Sequence, residues 1–449
     1  MKTILELSTE LREEQTTSRA LVEQALERID DPSGEGKRTF TIVYREAALA
    51  QANAVDELRA NGIELSPLAG LPVSIKDLFD VAGETTTAGS RVLQGAPPAD
   101  HDAPVVARLR AAGAVIVGKT NMTEFAFAAV GTNDTYGTPR NPYDRATARI
   151  PGGSSSGAAV SVTDGMAVVG IGSDTGGSVR IPAALCGLVG FKPTAHRIPT
   201  AGAIPLSTTL DSIGPLARSV TDCALVDAAL AGRAYAVPEP LPIGRLRFAV
   251  PTNFMLEDLD EAVAQAFERA VERLTKAGAR IESKRIEAFE MMPEMLAKGG
   301  FSGPEAAFWH APLIEKHREL YDRRILARIL SGGEQLASEY VRLLGQRRRY
   351  IARYAEELEG YDALLCPTVP IVASPIAEVE DDDAWARTNN LLLRNPRAVN
   401  FLDGCALTLP VHEPGSAPVG MMVVGQRDED FRLLRIGRSI EAVFETTAS

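Results

Sequence analysis

Hydrophobic positions near the start of the chain recur at helical spacing. The pattern predicts a helix from Thr17 or Ser18, either of which can cap it, to about Ile29. A second, alanine-rich helix is predicted over roughly 46–60. Each helix would turn one apolar face toward a core.

After these helices the pattern changes to short apolar runs that alternate with helical ones. Continuous apolar runs such as LPVSIKD (71–77) and AVIVG (114–118) predict buried strands. The other predicted elements are helices at 103–112, 257–277 and 429–444, a mainly helical stretch at 285–358, and strands at 246–252, 363–370, 406–411 and 418–425. This alternation favours a layered α/β fold over an all-β fold or a helical bundle.

The composition is that of an ordinary globular protein, since 45% of the 449 residues are hydrophobic and 24% are charged. With 47 basic and 59 acidic side chains, the net charge is −12. Because an acidic surface repels phosphate groups and anionic lipids, we expect neither nucleic acid nor a membrane as a direct partner. The arginine-rich part at 347–353 is interpreted as a solvated helix face, and the acidic run at 380–383 as an exposed loop.

Cysteine usage and the N-terminal sequence bear on the compartment. The four cysteines stand far apart and form no CxxC pair: Cys186, Cys223, Cys366 and Cys405. They predict neither a disulfide framework nor a cysteine-based zinc site, and they indicate a reducing compartment. Glu6, Glu10 and Arg12 interrupt the apolar stretch that a signal peptide needs. We therefore expect a cytoplasmic protein.

Three short motifs match known patterns without the context that the chemistry requires. GAVIVGKT (113–120) fits the P-loop pattern, but its middle residues form a predicted buried strand rather than a phosphate-binding loop. GIGSDTG (170–176) is only a loosened dinucleotide-binding fingerprint. GSSSG (153–157) would make Ser155 the nucleophile of a histidine-dependent triad, yet the chain has five histidines and only His412 has even a faintly catalytic context. That triad stays the weaker alternative.

A lysine and two glycine-rich segments carry more specific chemistry. Lys76 ends an apolar strand, where loss of water lowers the pKa of an ammonium group and makes it a candidate neutral base. The alternative is a structural lysine paired with Asp77. The segments 151–160 and 172–183 place glycine within apolar sequence, where it is costly unless a special backbone is needed. In TGGS, consecutive amide groups can form an oxyanion hole around a serine.

Together these elements resemble the amidase signature family of Ser–cisSer–Lys amide hydrolases. The matching blocks are SIKD (74–77), GAVIVGKTNMTEF (113–125), PGGSSSG (151–157), GSDTGGSVRIPA (172–183), FKPT (191–194) and DSIGPLARSV (211–220). The resemblance is dense over about 65–220 and thinner elsewhere. It implies one α/β/α layered domain over 1–449, a large mixed twisted sheet covered by helices on both faces, whose C-terminal part completes the sheet and the acyl pocket.

The resemblance also implies a role for each matching residue. Ser178 would be the nucleophile that forms an acyl-enzyme, Ser154 the bridging serine held by a cis peptide bond, and Lys76 the terminal base. Asp174 and Arg180 would support the glycine turn. The oxyanion hole would be formed by the amides of Thr175, Gly176, Gly177 and Ser178. No metal or organic cofactor is required for this chemistry.

The sequence departs from the family pattern at two places. Ser156 and Ala158 stand where the family often continues GGSSGGS, from which we expect altered packing rather than lost catalysis. The C-terminal segment DGCALTLPV (403–411) replaces a GLPA-like turn that helps form the acyl pocket in relatives. Substrate assignment by analogy is therefore left open.

The segment FAFAAVGTN (125–133) matches the part of the family that lines the acyl site. An apolar or small acyl group would contact Phe125, Phe127, Ala128, Ala129 and Val130. The alternative is that the two phenylalanines only pack the core. An anionic substrate would need a cation, for which the sequence offers Arg149, Arg197 or Arg394 without choosing among them.

The resemblance implies a carbon–nitrogen hydrolase with a small-molecule amide substrate. The first hypothesis is a free-standing hydrolase that releases ammonia or an amine from a small or apolar carboxamide. The alternatives are the glutaminase subunit of a tRNA-dependent amidotransferase, or a hydrolase for carboxybiuret-type substrates or a deaminase for aminomuconate-type ones. Whether the chain forms a homo-oligomer is left open.

Overall fold

A computed structural model describes residues 2–446, and eleven of its strands form one mixed sheet. The sheet order is β1-β3-β2-β4-β6-β5-β10-β11-β9-β7-β8. The strands are β1 Phe40–Val43, β2 Pro72–Lys76, β3 Val115–Thr120, β4 Val169–Ser173, β5 Val189–Lys192, β6 Ile213–Ala217, β7 Arg247–Pro251, β8 Arg280–Lys284, β9 Ala363–Pro367, β10 Ala406–Pro410 and β11 Gly420–Val424. Parallel pairs join β2 to β3 and β4, and β7 to β8 and β9, while the central pairs are antiparallel.

Helices cover both faces of this sheet. They are α1 Ile4–Arg12, α2 Ser18–Asp30, α3 Gly36–Thr39, α4 Arg45–Ala60, α5 Pro104–Ala111, α6 Ser156–Thr163, α7 Arg180–Cys186, α8 Val220–Ala231, α9 Glu261–Lys276, α10 Met292–Leu296, α11 Ser302–His317, α12 Arg323–Gly332, α13 Ala337–Glu357, α14 Asp382–Asn400 and α15 Asp430–Thr446. Successive residues of a strand point to opposite faces. Because every residue of β2, β3 and β4 is buried, both faces must be covered there, which confirms the α/β/α layers.

The helices with a clear apolar period begin and end close to where the sequence predicts. The Thr17 hydroxyl caps α2 by accepting a hydrogen bond from the Ala20 amide, 3.1 Å away. α4 begins one residue before its predicted range and ends with it, and α9 lies within the range predicted for it. Within residues 2–446, no helix combines the length and the apolar character that a membrane span needs.

Two charged segments differ from their predicted interpretation. The acidic run begins a helix rather than filling a loop: the Asp381 side chain caps α14, and the next two aspartates lie in its first turn. A negative charge at a helix N-terminus is favoured by the helix dipole. In the arginine-rich part of α13, Arg348 and Arg349 are exposed as predicted, but Arg347 donates to the Phe401 carbonyl and to Asp403.

The sheet places two polar side chains at one edge. β2 and β4 are parallel neighbours, so their carboxyl ends meet on the same side. Lys76 ends β2 and Ser173 ends β4, and both side chains are buried. The loop that follows β4 carries Asp174 to Ser178, and Ser154 lies in the segment between β3 and α6.

Lys119, the lysine of the P-loop-like segment, has a structural role. It lies on β3, whose middle residues form the buried strand that the sequence predicts. Its Nζ lies 2.9 Å from Asp77 Oδ1, and both side chains are fully buried. It also donates to Thr86 Oγ1 at 3.0 Å. Asp77 is therefore paired with Lys119 and not with its neighbour Lys76.

We predict that Lys119→Ala lowers the free energy of unfolding by about 3–5 kcal/mol, because it leaves the buried Asp77 charge without a cation. Urea denaturation at 25 °C measures this change. Lys276→Ala is the matched control, since Lys276 is an exposed lysine paired with Glu272 on α9. Equal effects from the two substitutions would contradict the structural role of Lys119.

Candidate active site

Lys76 lies at the centre of the candidate site, in contact with two serines. Its Nζ donates to Ser154 Oγ at 2.7 Å and to Ser173 Oγ at 2.8 Å. Within the described part of the chain, no carboxylate forms an ion pair with it. The alternative of a lysine paired with Asp77 is thus not what the structure contains.

Burial determines the charge state of Lys76. Loss of water lowers the pKa of Lys76 to about 7, although the negative charges of Asp211 and Asp174 oppose this shift. Near neutral pH a large fraction of Lys76 is therefore uncharged. An uncharged amine has a lone pair, so it can accept a proton from a neighbouring hydroxyl.

Ser154 lies between Lys76 and the glycine turn. The Gly153–Ser154 peptide bond is cis, in agreement with what the resemblance implies. The next amide, that of Ser155, donates to the Ser178 carbonyl at 3.3 Å, so the two serine-bearing segments lie side by side. The structure thus brings the sequence-predicted Lys76, Ser154 and Ser178 into one buried region.

Asp174 organises the turn that carries Ser178. Its carboxylate accepts hydrogen bonds from Arg180 Nη2 at 2.8 Å and Arg180 Nε at 3.0 Å. It also accepts from the Gly177 amide at 3.0 Å and from Asn400 Nδ2 at 2.9 Å. Burial alone would raise the pKa of Asp174, but Arg180 holds it well below its usual range. The carboxylate is therefore charged and fixes the glycine turn.

The backbone amides of this turn differ in whether they already donate a hydrogen bond within the protein. The Gly177 amide is already used by Asp174. The amides of Thr175, Gly176 and Ser178 have no acceptor within residues 2–446. These three can therefore donate to an oxyanion, and the three residues line a cavity of about 420 Å³.

The acyl-site segment contributes to this cavity only in part. Ala128 lines it together with Ala126 and Phe127. Phe125 does not line the cavity; its ring packs against His310, with 4.4 Å between the ring centroids. Ala129 and Val130 are fully buried outside the cavity lining.

The three arginines that the sequence offers for an anionic substrate are all engaged elsewhere. Arg149 Nε lies 3.0 Å from Asp144, and Arg197 Nη2 lies 2.8 Å from Asp227. Arg394 donates to the Glu257 carbonyl. The cavity is lined instead by two arginines that sequence reasoning missed, Arg328 and Arg397.

Sequence reasoning assigned no role to three polar residues around the site. Ser173 accepts from Lys76, and Asn400 binds both Asp174 and Arg180. Asp211 accepts from Thr175 Oγ1 at 2.5 Å, and burial raises the pKa of Asp211 to about 6. Ser173 and Asp211 fall inside the sequence blocks that carry the family resemblance, so the sequence could have marked both as candidate site residues. Nothing in the sequence links Asn400 to Asp174.

Ser155 has no histidine beside it. Its Oγ donates to the Ser173 carbonyl at 3.4 Å, and no histidine in the described chain forms a hydrogen bond with it. His310 instead forms a hydrogen bond of 2.9 Å with the Tyr321 hydroxyl. The geometry gives no support to a histidine-dependent triad.

Comparison with known proteins identifies a family and several relatives for this chain. The sequence model of the amidase family matches residues 20–434. The chain is 38% identical over 400 residues to 2-amino-5-chloromuconic acid deaminase of Comamonas testosteroni, covering 88% of this chain and 86% of that protein. It is 34% identical over 477 residues to a glutamyl-tRNA(Gln) amidotransferase subunit of Thioalkalivibrio sulfidiphilus, covering 98% of this chain and 97% of that protein.

A solved structure described as an amidase superposes on nearly the whole molecule. Its TM-score is 0.88 at 34% sequence identity, and the match covers 98% of this chain and 99% of that one. The similarity therefore includes the C-terminal strands and helices as well as the densely matching blocks.

We predict that Gly177→Ala destabilises the protein by several degrees in Tm. Gly177 has a φ of 122°, and an added Cβ would lie 2.5 Å from Pro396 Cβ. Gly345→Ala is the matched control, because Gly345 lies in α13 with open space around it. It should stabilise the protein by about 0.5–1 kcal/mol through helix propensity. Differential scanning calorimetry of both variants measures the two effects, and shifts of the same sign would contradict this account.

Proposed function

The chain belongs to the amidase family and hydrolyses a carbon–nitrogen bond, and from this premise we propose that Ser178 is its nucleophile, with Ser154 as the proton relay and Lys76 as the base. The observation that carries the proposal is the position of a buried lysine with a lowered pKa, 2.7 Å from the Ser154 hydroxyl and without a carboxylate partner in the described chain. Lysine can act as a general base only when it is neutral.

The first half of the reaction forms an ester on Ser178. Ser178 Oγ attacks the carbonyl carbon of the amide, its proton passes to Ser154 Oγ, and Ser154 gives its own proton to Lys76 Nζ. The carbonyl oxygen becomes an oxyanion, which accepts hydrogen bonds from the amides of Thr175, Gly176 and Ser178. When the intermediate collapses, the carbon–nitrogen bond breaks and the leaving amine takes a proton from Lys76 through Ser154.

The second half releases the acid. A water molecule attacks the ester carbon and loses a proton through Ser154 to Lys76, and the same amides stabilise the second oxyanion. Collapse of this intermediate breaks the bond to Ser178 Oγ, which regains a proton from Lys76 through Ser154. One amide and one water become one carboxylic acid and one amine, with every side chain restored.

The substrate class remains to be chosen among three hypotheses. We favour a free-standing hydrolase of small amides. A deaminase acting on an aminomuconate-type acid is the second candidate, because one relative at 38% identity is named for such a reaction. The third is a glutaminase that works within a larger complex, since another relative is named as one component of a glutamyl-tRNA(Gln) amidotransferase. The cytoplasmic location and a homo-oligomer stay predictions.

We predict that Lys76→Ala, Ser154→Ala and Ser178→Ala each lower kcat by about 10³-fold or more while the fold is kept, because the relay acts as a unit. Ammonia release from aliphatic, aryl, dicarboxylic and urea-derived amides, glutamine and an aminomuconate measures this loss. Ser155→Ala is the matched control, since Ser155 is a neighbouring buried serine outside the relay. Full activity in Ser178→Ala would refute the proposal, and silence of the wild type across the panel would favour the glutaminase hypothesis.

We predict that kcat/KM rises with pH through about 7, the pKa of Lys76, and is level above it, because only neutral Lys76 accepts a proton. Asp211→Asn removes a negative charge that raises this pKa, so the rise should move to lower pH. A pH–rate profile on the best amide of the panel measures the shift. Asp383→Asn, a change at an exposed carboxylate, should leave it in place. If the rise in kcat/KM disappears in Asp211→Asn, the titrating group is Asp211 rather than Lys76, and the prediction is wrong.

A further inference from the structure

The cavity beside Ser178 contains two arginines that have no counter-ion among residues 2–446. Arg328 lies on α12 and Arg397 on α14, and both side chains line the cavity. Neither forms an ion pair or a side-chain hydrogen bond with residues 2–446. Arg328 Nε is shielded from solvent and has no acceptor. Arg180, by contrast, is paired with Asp174 and also donates to Asn400.

Both guanidinium groups have a lowered pKa, which shows that their charged forms are destabilised in the cavity. Burial lowers the pKa of Arg328 to about 10. Burial, together with the charge of Arg328, lowers the pKa of Arg397 to about 9. Two cations that destabilise each other are kept in a protein where an anion compensates them. No aspartate or glutamate of residues 2–446 lines the cavity, so none of these side chains compensates the two charges there.

Both arginines lie close to the place where the reacting carbonyl would bind. Arg328 stacks on Phe127 of the acyl-site segment, with its guanidinium carbon 5.1 Å from the ring centroid. A Cβ added to Gly176, whose amide faces the oxyanion position, would lie 3.9 Å from Arg397 Nε. The anion would therefore be a near part of the substrate rather than a distant leaving group.

We propose that the two arginines bind a carboxylate on the acyl group, so that the substrate is the monoamide of a short dicarboxylic acid. The proposal rests on the proposed function and specifies its substrate class. Guanidinium groups bind a carboxylate through paired, charge-assisted hydrogen bonds. Ser178 and both arginines line the same cavity of about 420 Å³, so one small substrate can contact all three.

The decisive experiment compares acids with neutral analogues of the same length. The substrates are the monoamides of succinic, glutaric and adipic acid and the methyl esters of these monoamides. We expect the wild type to hydrolyse the acids with a kcat/KM at least about 100-fold above that of the esters, as binding of a charged group by two arginines implies. Equal values for acids and esters would overturn the proposal.

Substitutions at the two arginines test where the preference comes from. Arg328→Met and Arg397→Met should each lower kcat/KM for the acids by about 10- to 100-fold and change that for the esters little. Arg328→Lys and Arg397→Lys should retain part of the preference, because the charge remains while the paired geometry is lost. Arg348→Met, at an exposed arginine of α13, is the matched control. Equal losses for acids and esters would overturn the assignment.

A binding measurement separates this proposal from the proposed function. In Ser178→Ala, succinate, glutarate or adipate should raise Tm, and Arg397→Met in the same background should abolish the rise. An equal rise with sulfate at the same ionic strength would indicate a general anion site and overturn the assignment to a carboxylate. Ser178-dependent hydrolysis of the esters alone would refute the carboxylate site and leave the proposed function intact. Binding of the dicarboxylates without hydrolysis of any monoamide by the wild type would keep the carboxylate site and rule out a free-standing hydrolase of these amides.

Discussion

The buried contact between Asp174 and Arg180 fixes the turn on which the site depends. A glycine-rich segment has many conformations of similar energy, and here one charged carboxylate selects among them by accepting the Gly177 amide and two guanidinium hydrogen bonds. Asn400, 226 positions further along the chain, closes the same network. The C-terminal part of the chain therefore holds Ser178, the proposed nucleophile, in place although it contributes none of the proposed reacting groups.

Two buried lysines on adjacent strands illustrate how partners, rather than burial, decide function. Lys119 and Lys76 are both inaccessible to solvent and lie on the paired strands β3 and β2. Lys119 faces a carboxylate and is a structural cation, whereas Lys76 faces only hydroxyl groups at hydrogen-bond distance. Because no carboxylate of residues 2–446 pairs with Lys76, its ammonium form is costly and its neutral amine is populated near neutral pH.

Elements that depend on a local hydrophobic pattern were predicted from the sequence. Features that depend on contacts between distant residues were not. Long helices such as α9 were predicted closely because their apolar period spans several turns. The central strands β5 and β6, of four and five residues, are too short to give such a period, and they were missed. The three ordered blocks pointed to Lys76, Ser154 and Ser178, which the structure brings into one buried region. Arg197 and Arg397, however, look alike in sequence, because only folding shows that Asp227 neutralises the first.

The proposed chemistry and the proposed recognition of the substrate are encoded in different parts of the chain. The proposed relay and oxyanion amides lie between residues 76 and 178, whereas the two cavity arginines come from α12 and α14. Related genes could therefore diverge in acyl preference while inheriting the reaction unchanged. The two helices are not equally free to vary, because Asn400 lies one turn beyond Arg397 on α14 and supports Asp174. We expect α12 to tolerate substitutions that change specificity, and α14 to accept them only where the support of the nucleophile survives.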